Sequence, residues 1–115
     1  MRPLPSAEIF AVGDELLIGR TLETNAHRLA KGLTRLGVVL KQIRVLPDQP
    51  EALLQAIESS TADLILVTGG LGPTKDDHTR NALAQWLGVS LVVNAKVLSR
   101  LEAYYERRGR KLNAL

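Results

Sequence analysis

Cysteine is missing from all 115 residues, which removes disulfides and thiolate metal sites and fits a reducing compartment. Aromatic side chains are almost missing too. Phe10, Trp86, Tyr104 and Tyr105 are the whole set, too few for a base-stacking platform. No apolar run approaches the roughly 20 residues of a membrane helix. Pro3, Pro5 and Glu8 interrupt the first ten residues, so they do not read as a secretory signal. These absences lead us to expect a cytoplasmic protein without a membrane partner.

The formal net charge of +3 invites a nucleic-acid reading, which its distribution argues against. From Lys96 onward six basic residues face Glu102 and Glu106, a net +4, while the remainder carries nine basic and ten acidic residues, a net −1. The excess belongs to the tail, and no arginine-rich groove with interleaved aromatics accompanies it. We expect no nucleic-acid partner. An apolar share of 45% and a charged share of 23% are those of a globular chain, and the length suits one domain over residues 1–115.

The pattern along the chain predicts β-α-β-α-β-α-β-α. Ile9–Val12 and Leu64–Val67 are short continuous apolar runs, the mark of strands covered on both faces. Val38–Leu46 alternates and predicts a partly exposed strand, and Leu91–Val93 predicts a short fourth one. Between them, apolar residues recur at helical spacing from Leu22 to Leu36, around Leu53–Ile57, and from about Lys75 to Leu87. Thr24 or Asn25 is a cap candidate for the first helix. Asn94 is positioned to cap a last helix bearing Val97, Leu98, Leu101, Tyr104 and Tyr105. Alternating strands and helices imply a mainly parallel sheet with helices on both faces, a three-layer α/β/α sandwich. In such sheets ligands bind beyond the carboxyl ends of the strands.

Two segments follow buried strands, Gly13–Gly19 and Thr68–Thr79. In the second, Gly69, Gly70 and Gly72 permit positive φ and close backbone approach. Successive N–H groups and the following helix N-terminus can cradle an anion, and Thr68, Thr74 and Thr79 can add hydroxyls. No Gly-Lys-Ser/Thr ending is present, so this is not a Walker A loop. Two readings fit these residues: a phosphate cradle, or a plain glycine turn in which Asp76 and Asp77 cap a helix. Carboxylates beside a phosphate would repel it unless a divalent cation such as Mg²⁺ sits between, and Asp14 and Glu15 could supply further oxygens. Lys75 could neutralise phosphate charge or face water, His78 reads as exposed with a general acid or base role as the alternative, His27 reads as solvent-facing, Asn25 as a cap or a ligand contact, and Trp86, Tyr104 and Tyr105 as packing residues. The Arg107–Lys111 cluster reads as a solvated helix end.

Gly13-Asp14-Glu15-Leu16-Leu17-Ile18-Gly19 with Thr24-Asn25 resembles the opening signature of CinA-type competence/damage-inducible proteins. Thr68-Gly69-Gly70-Leu71-Gly72-Pro73-Thr74, followed by Asp76-Asp77 and Thr79-Arg80, matches their second signature. The loop in a looser form is similar to that of MoaB/Mog-type molybdopterin-binding proteins. Two departures stand out: Glu23 replaces the usual Asp before Thr-Asn, and Pro47-Asp48-Gln49 replaces Gly-Asp-Asp. The resemblance implies a molybdopterin-binding-like fold, truncated at its C-terminus relative to the family, and metal-dependent hydrolysis of ADP-ribose to AMP and ribose 5-phosphate. By the same carry-over Thr68, Gly69, Gly70, Leu71, Gly72, Pro73, Thr74, Thr79 and Asn25 would contact the ligand. Asp76 and Asp77 would be catalytic, and Asp14, Asp76 and Asp77 would hold the metal. The cofactor expectation is a divalent metal, with a monovalent cation as a further candidate. The partner expectation is a phosphorylated nucleotide or pterin-like small molecule, in a homo-oligomer. A pterin-handling enzyme of molybdenum-cofactor synthesis and a non-catalytic binding or assembly module are the alternatives. The nicotinamide mononucleotide deamidase domain of longer relatives has no counterpart in these residues, so deamidation is not assigned.

Overall fold

A computed structural model describes residues 3–20, 22–72, 74, 75 and 77–110. Its elements are β1 (Ser6–Val12), α1 (Asp14–Leu17), α2 (Asn25–Arg35), β2 (Val39–Leu46), α3 (Pro50–Ser59), β3 (Leu64–Thr68), α4 (Thr79–Leu87) and α5 (Ala95–Arg107). The three strands form one sheet in the order β2-β1-β3, and both pairings are parallel. The expected three-layer arrangement is therefore what the chain forms.

β1 is central, and every residue from Ala7 to Val12 is buried, as expected for the apolar run Ile9–Val12. Its alternating side chains feed two cores. On one face Phe10 and Val12 join Leu46, Leu53, Ala56, Ile57 and Ala82, so α3 and α4 cover that side. On the other, Ala7 and Ile9 meet Ala26 and Leu33 of α2, with Leu29, Ala30 and Leu66 packed around them. Glu8 breaks the apolar run yet is only 5% exposed. Its carboxylate accepts from the Gln42 amide and the Ser60 hydroxyl. The Ser60 bond chiefly holds its pKa below the usual carboxylate value, against the opposing effect of burial.

Four sequence expectations change. Leu64–Thr68 forms a strand but is only half covered, with Leu64 46% exposed. A continuous apolar run reports an apolar environment, not a place in the strand order, and among the described residues β3 pairs with β1 alone. Leu91–Val93 forms no strand and is open to solvent. Among the described residues no strand lies beside it to pair with, and a strand needs a partner for its ladder bonds. α4 begins at Thr79 rather than near Lys75, because Asp77 N–H closes a turn on the Thr74 carbonyl at 3.1 Å. Finally, Asp14–Leu17 forms a short helix that the pattern did not suggest. The expected Asn94 cap is present, its side-chain oxygen accepting from Val97 N–H at 3.1 Å. α2 is tied differently, with Glu23 Oε1 accepting from Ala26 N–H at 2.8 Å and no bond from the Thr24 side chain.

Candidate functional site

Parallel pairing points the carboxyl ends of β1, β2 and β3 toward one rim. Ala11 lies opposite Thr68 in the β1–β3 register, so the loops after Val12 and Thr68 leave from adjacent strand ends. Gly13 N–H donates to the Leu46 carbonyl at 2.9 Å, which binds the β2 exit to the same place. The two segments singled out by sequence do meet, and the segment after β2 joins them.

The glycine stretch is shaped by two close approaches. Gly69 has φ +87°, and a Cβ there would stand 2.0 Å from the Val12 carbonyl oxygen. Gly70 has φ +65°, and a Cβ there would stand 2.2 Å from Thr79 Oγ1. Only glycine allows these contacts. Thr79, 2% exposed, clasps the turn from behind. Its hydroxyl donates to the Gly69 carbonyl at 2.8 Å and its N–H to the Gly70 carbonyl at 3.1 Å. Thr79 was expected to touch the ligand; its hydroxyl proton is spent on shaping the loop.

Asp77 organises the front of the loop. Its carboxylate accepts from the Thr74 hydroxyl and from Thr74 N–H. The Thr74 hydroxyl is the main reason that its pKa lies below the ordinary value, with loop N–H groups and Arg80 helping. Arg80 also donates to the Gly72 carbonyl at 3.3 Å. Thr68 is half-buried at the end of β3, while Gly69, Leu71 and Thr74 are exposed. Pro73 and Asp76, both expected in the site, lie outside the described residues.

Asp48 stood out in the sequence only within the Pro47-Asp48-Gln49 departure, and here it stands between the two loops. Its N–H donates to Asp14 Oδ1 at 2.9 Å, and its own Oδ1 accepts from His78 N–H at 3.2 Å. Burial pushes its pKa up, the His78 bond opposes this, and the charges of Asp77 and Asp14 push it further up. The available signal was an acid two residues past a strand end, in a fold whose strand ends share one rim. Asn25 is exposed at the start of α2, and no hydrogen bond ties it to the loop among the described residues.

Asp14, Asp48 and Asp77 thus concentrate negative charge beside a loop suited to an anion. Among the described residues no group of three His, Cys, Asp or Glu side chains is arranged to hold a metal ion. The carboxylates nonetheless suit a hard divalent cation by their chemistry, and their mutual repulsion at Asp48 is what such a cation would relieve. No helix among the described residues is long and apolar enough to cross a membrane.

Residues 8–111 match the family model described as "Probable molybdopterin binding domain". A CinA-like protein of Chloroherpeton thalassium is 40% identical over 110 residues, covering 94% of this chain and 26% of that protein. The chain thus spans about a quarter of the length of such relatives. The crystal structure of CinA from Thermoplasma acidophilum superposes with a TM-score of 0.79 at 30% identity, covering 93% of this chain and 63% of that one. The molybdopterin biosynthesis enzyme MoaB of Thermus thermophilus gives 0.65 at 23% identity, covering 71% of this chain and 54% of that one, a likeness of fold.

Proposed function

The chain belongs to the molybdopterin-binding domain family, in the form carried by CinA-type proteins, and on that premise we propose that its glycine rim binds the diphosphate of a nucleotide and catalyses metal-dependent hydrolysis of ADP-ribose. One observation carries the reading: parallel pairing of β1 with both β2 and β3 sets Asp14, Asp48 and Asp77 around a glycine turn built by close backbone approach.

In this reading Gly69–Thr74 and the N-terminal end of α4 hold the diphosphate oxygens through main-chain donors. Asp14 and Asp77 would hold the divalent cation, with Asp76 joining them by the family resemblance alone. When bound, that cation polarises a phosphoryl oxygen and offsets the repulsion among the carboxylates. Asp48, whose proton affinity is raised, is suited to receive the proton of the attacking water. Water adds to one phosphorus, the bridging P–O bond breaks, and the products are AMP and ribose 5-phosphate. The test is incubation of the chain with ADP-ribose, with and without Mg²⁺, and quantification of AMP. Metal-dependent release that Asp77→Ala abolishes in a folded protein supports the reading. Absence of turnover with any dinucleotide diphosphate removes the catalytic part.

A phosphorylated pterin is the second ligand reading, favoured by the family description and by neighbours that include molybdopterin biosynthesis enzymes. Calorimetric binding of a pterin phosphate without nucleotide turnover would select it. Nucleotide affinity without turnover would select a non-catalytic binding module. Under all three readings Gly70→Val abolishes binding of the phosphorylated ligand.

A further inference from the structure

Donors of the glycine loop are already engaged, and by a carboxylate. Thr74 N–H donates to Asp77 Oδ2 at 3.3 Å, and the Thr74 hydroxyl donates to the same oxygen. Gly72 N–H adds to the hold on that charge. A Cβ on Gly72 would stand 2.6 Å from Asp77 Oδ2, so the missing side chain is what lets the oxygen settle against the loop. Asp77 N–H in turn closes on the Thr74 carbonyl at 3.1 Å. A carboxylate oxygen and a phosphoryl oxygen ask for the same surroundings, convergent N–H and O–H donors about a negative charge. Oδ2 stands where an oxygen of the ligand would stand.

Two roles given to this loop then collide. On the function proposed above, on which this inference rests, Gly72 and Thr74 hold the diphosphate and Asp77 holds the cation. The donors of Gly72 and Thr74 cannot serve Oδ2 and a phosphoryl oxygen together. A diphosphate beside an unneutralised Asp77 would also meet its full charge at contact distance. A divalent cation resolves both conflicts, because it binds carboxylate oxygens and carries the opposite charge. Arg80, bonded to the Gly72 carbonyl at 3.3 Å, keeps a positive charge at the loop when the carboxylate turns away.

We propose that Asp77 competes with the diphosphate for the donors of Gly72 and Thr74, and that a divalent cation unlatches this cradle by drawing the Asp77 carboxylate onto itself. The carboxylate is a built-in inhibitor of anion binding without metal. Cation and diphosphate therefore bind cooperatively, and the coupling is reciprocal: each raises the affinity for the other by the same factor. A phosphorylated molecule that arrives without its metal is held weakly, since apparent affinity falls with the fraction of cradles left open.

Calorimetry of the full chain with inorganic pyrophosphate in EDTA reads the latch without metal. In roughly 0.3 M potassium chloride, charges more than about 6 Å apart are largely screened, so simple repulsion contributes little. Asp77→Ala should bind pyrophosphate at least about tenfold more tightly than the parent, with an unchanged far-UV circular dichroism spectrum. Asp77→Asn, whose neutral oxygen holds the donors less strongly, should fall between them and serves if the alanine variant loses the fold. Asp14→Asn removes a carboxylate of the same rim that is bonded to Asp48 N–H and should gain no more than about threefold. Mg²⁺ alone should move the Gly72 and Thr74 amide resonances of the parent toward their positions in Asp77→Ala. Tighter metal-free binding by Asp77→Ala without ADP-ribose turnover by the parent would keep the latch and remove the hydrolase. Turnover by the parent, with Asp77→Ala binding pyrophosphate no better than the parent, would overturn the latch and keep the hydrolase. Equal gains in Asp77→Ala and Asp14→Asn, amides indifferent to Mg²⁺, or no pyrophosphate binding by any of these proteins would each overturn the proposal as well.

Discussion

Replacing Gly69 by alanine tests the construction of the rim directly. Two costs add at this position. A non-glycine residue at φ +87° costs about 1–2 kcal/mol. The new methyl would also stand 2.0 Å from the Val12 carbonyl oxygen and 3.0 Å from its carbon. Those atoms belong to the central strand and cannot swing aside, so the backbone of β1 or of the turn must shift. Forced displacement in a packed core costs about 1–3 kcal/mol. The total is about 2–5 kcal/mol. At about 4 °C per kcal/mol for a domain of this size, the midpoint should fall by roughly 8–20 °C. Gly88→Ala is the control, since Gly88 has φ +66° with nothing within 4 Å of an added Cβ, and only the conformational cost of about 1 kcal/mol applies. Thermal and urea unfolding followed by circular dichroism measure both. If the two substitutions cost the same within about 0.5 kcal/mol, the close approach of Gly69 to Val12 is not a feature of the folded protein, and the shape argued for the site falls with it.

Asp48→Asn separates site from scaffold through pH. The folded-state pKa of Asp48 is raised, so its favourable contribution is complete below the unfolded value near 3.9 and is lost as pH rises through the folded value. At pH 7 the ionised group opposes folding, and Asp48→Asn, which keeps the acceptor for His78 N–H, should leave the midpoint equal to or above the parent's while ADP-ribose turnover falls. A midpoint well below the parent's at pH 7 would contradict the direction of that shift. Thr79→Val removes the bond to the Gly69 carbonyl and leaves a partly buried acceptor unpaired, for a loss of about 1–3 kcal/mol in urea titration. Phe10→Ala opens the larger core where α3 and α4 meet β1 and should lower stability by about 3–5 kcal/mol. The same measurement resolves a smaller loss if the cavity collapses.

Local signals were sufficient where a residue answers to its chain neighbours. The apolar run Ile9–Val12 of β1, the alternation of β2, the Asn94 cap and the three glycines after β3 each express a short-range rule, and each is found in place. The amino-acid sequence thereby determined the α/β class, the parallel sheet and the loop on which the candidate site rests. Resemblance added the ligand class, because which phosphorylated molecule fits a glycine turn is not written in spacing. What folding in three dimensions decided are relations between distant segments. Among the described residues β3 has one neighbour, β1, because strand order, not apolarity, sets how many neighbours a strand has. Leu91–Val93 stays out of the sheet because a strand exists only against a partner. Thr79 serves the turn's architecture because its hydroxyl meets the Gly69 carbonyl, ten residues earlier in the chain. Asp48 joins Asp14 and His78 because three parallel strands end on one rim, and a contact across 30 or more residues leaves no periodicity to read.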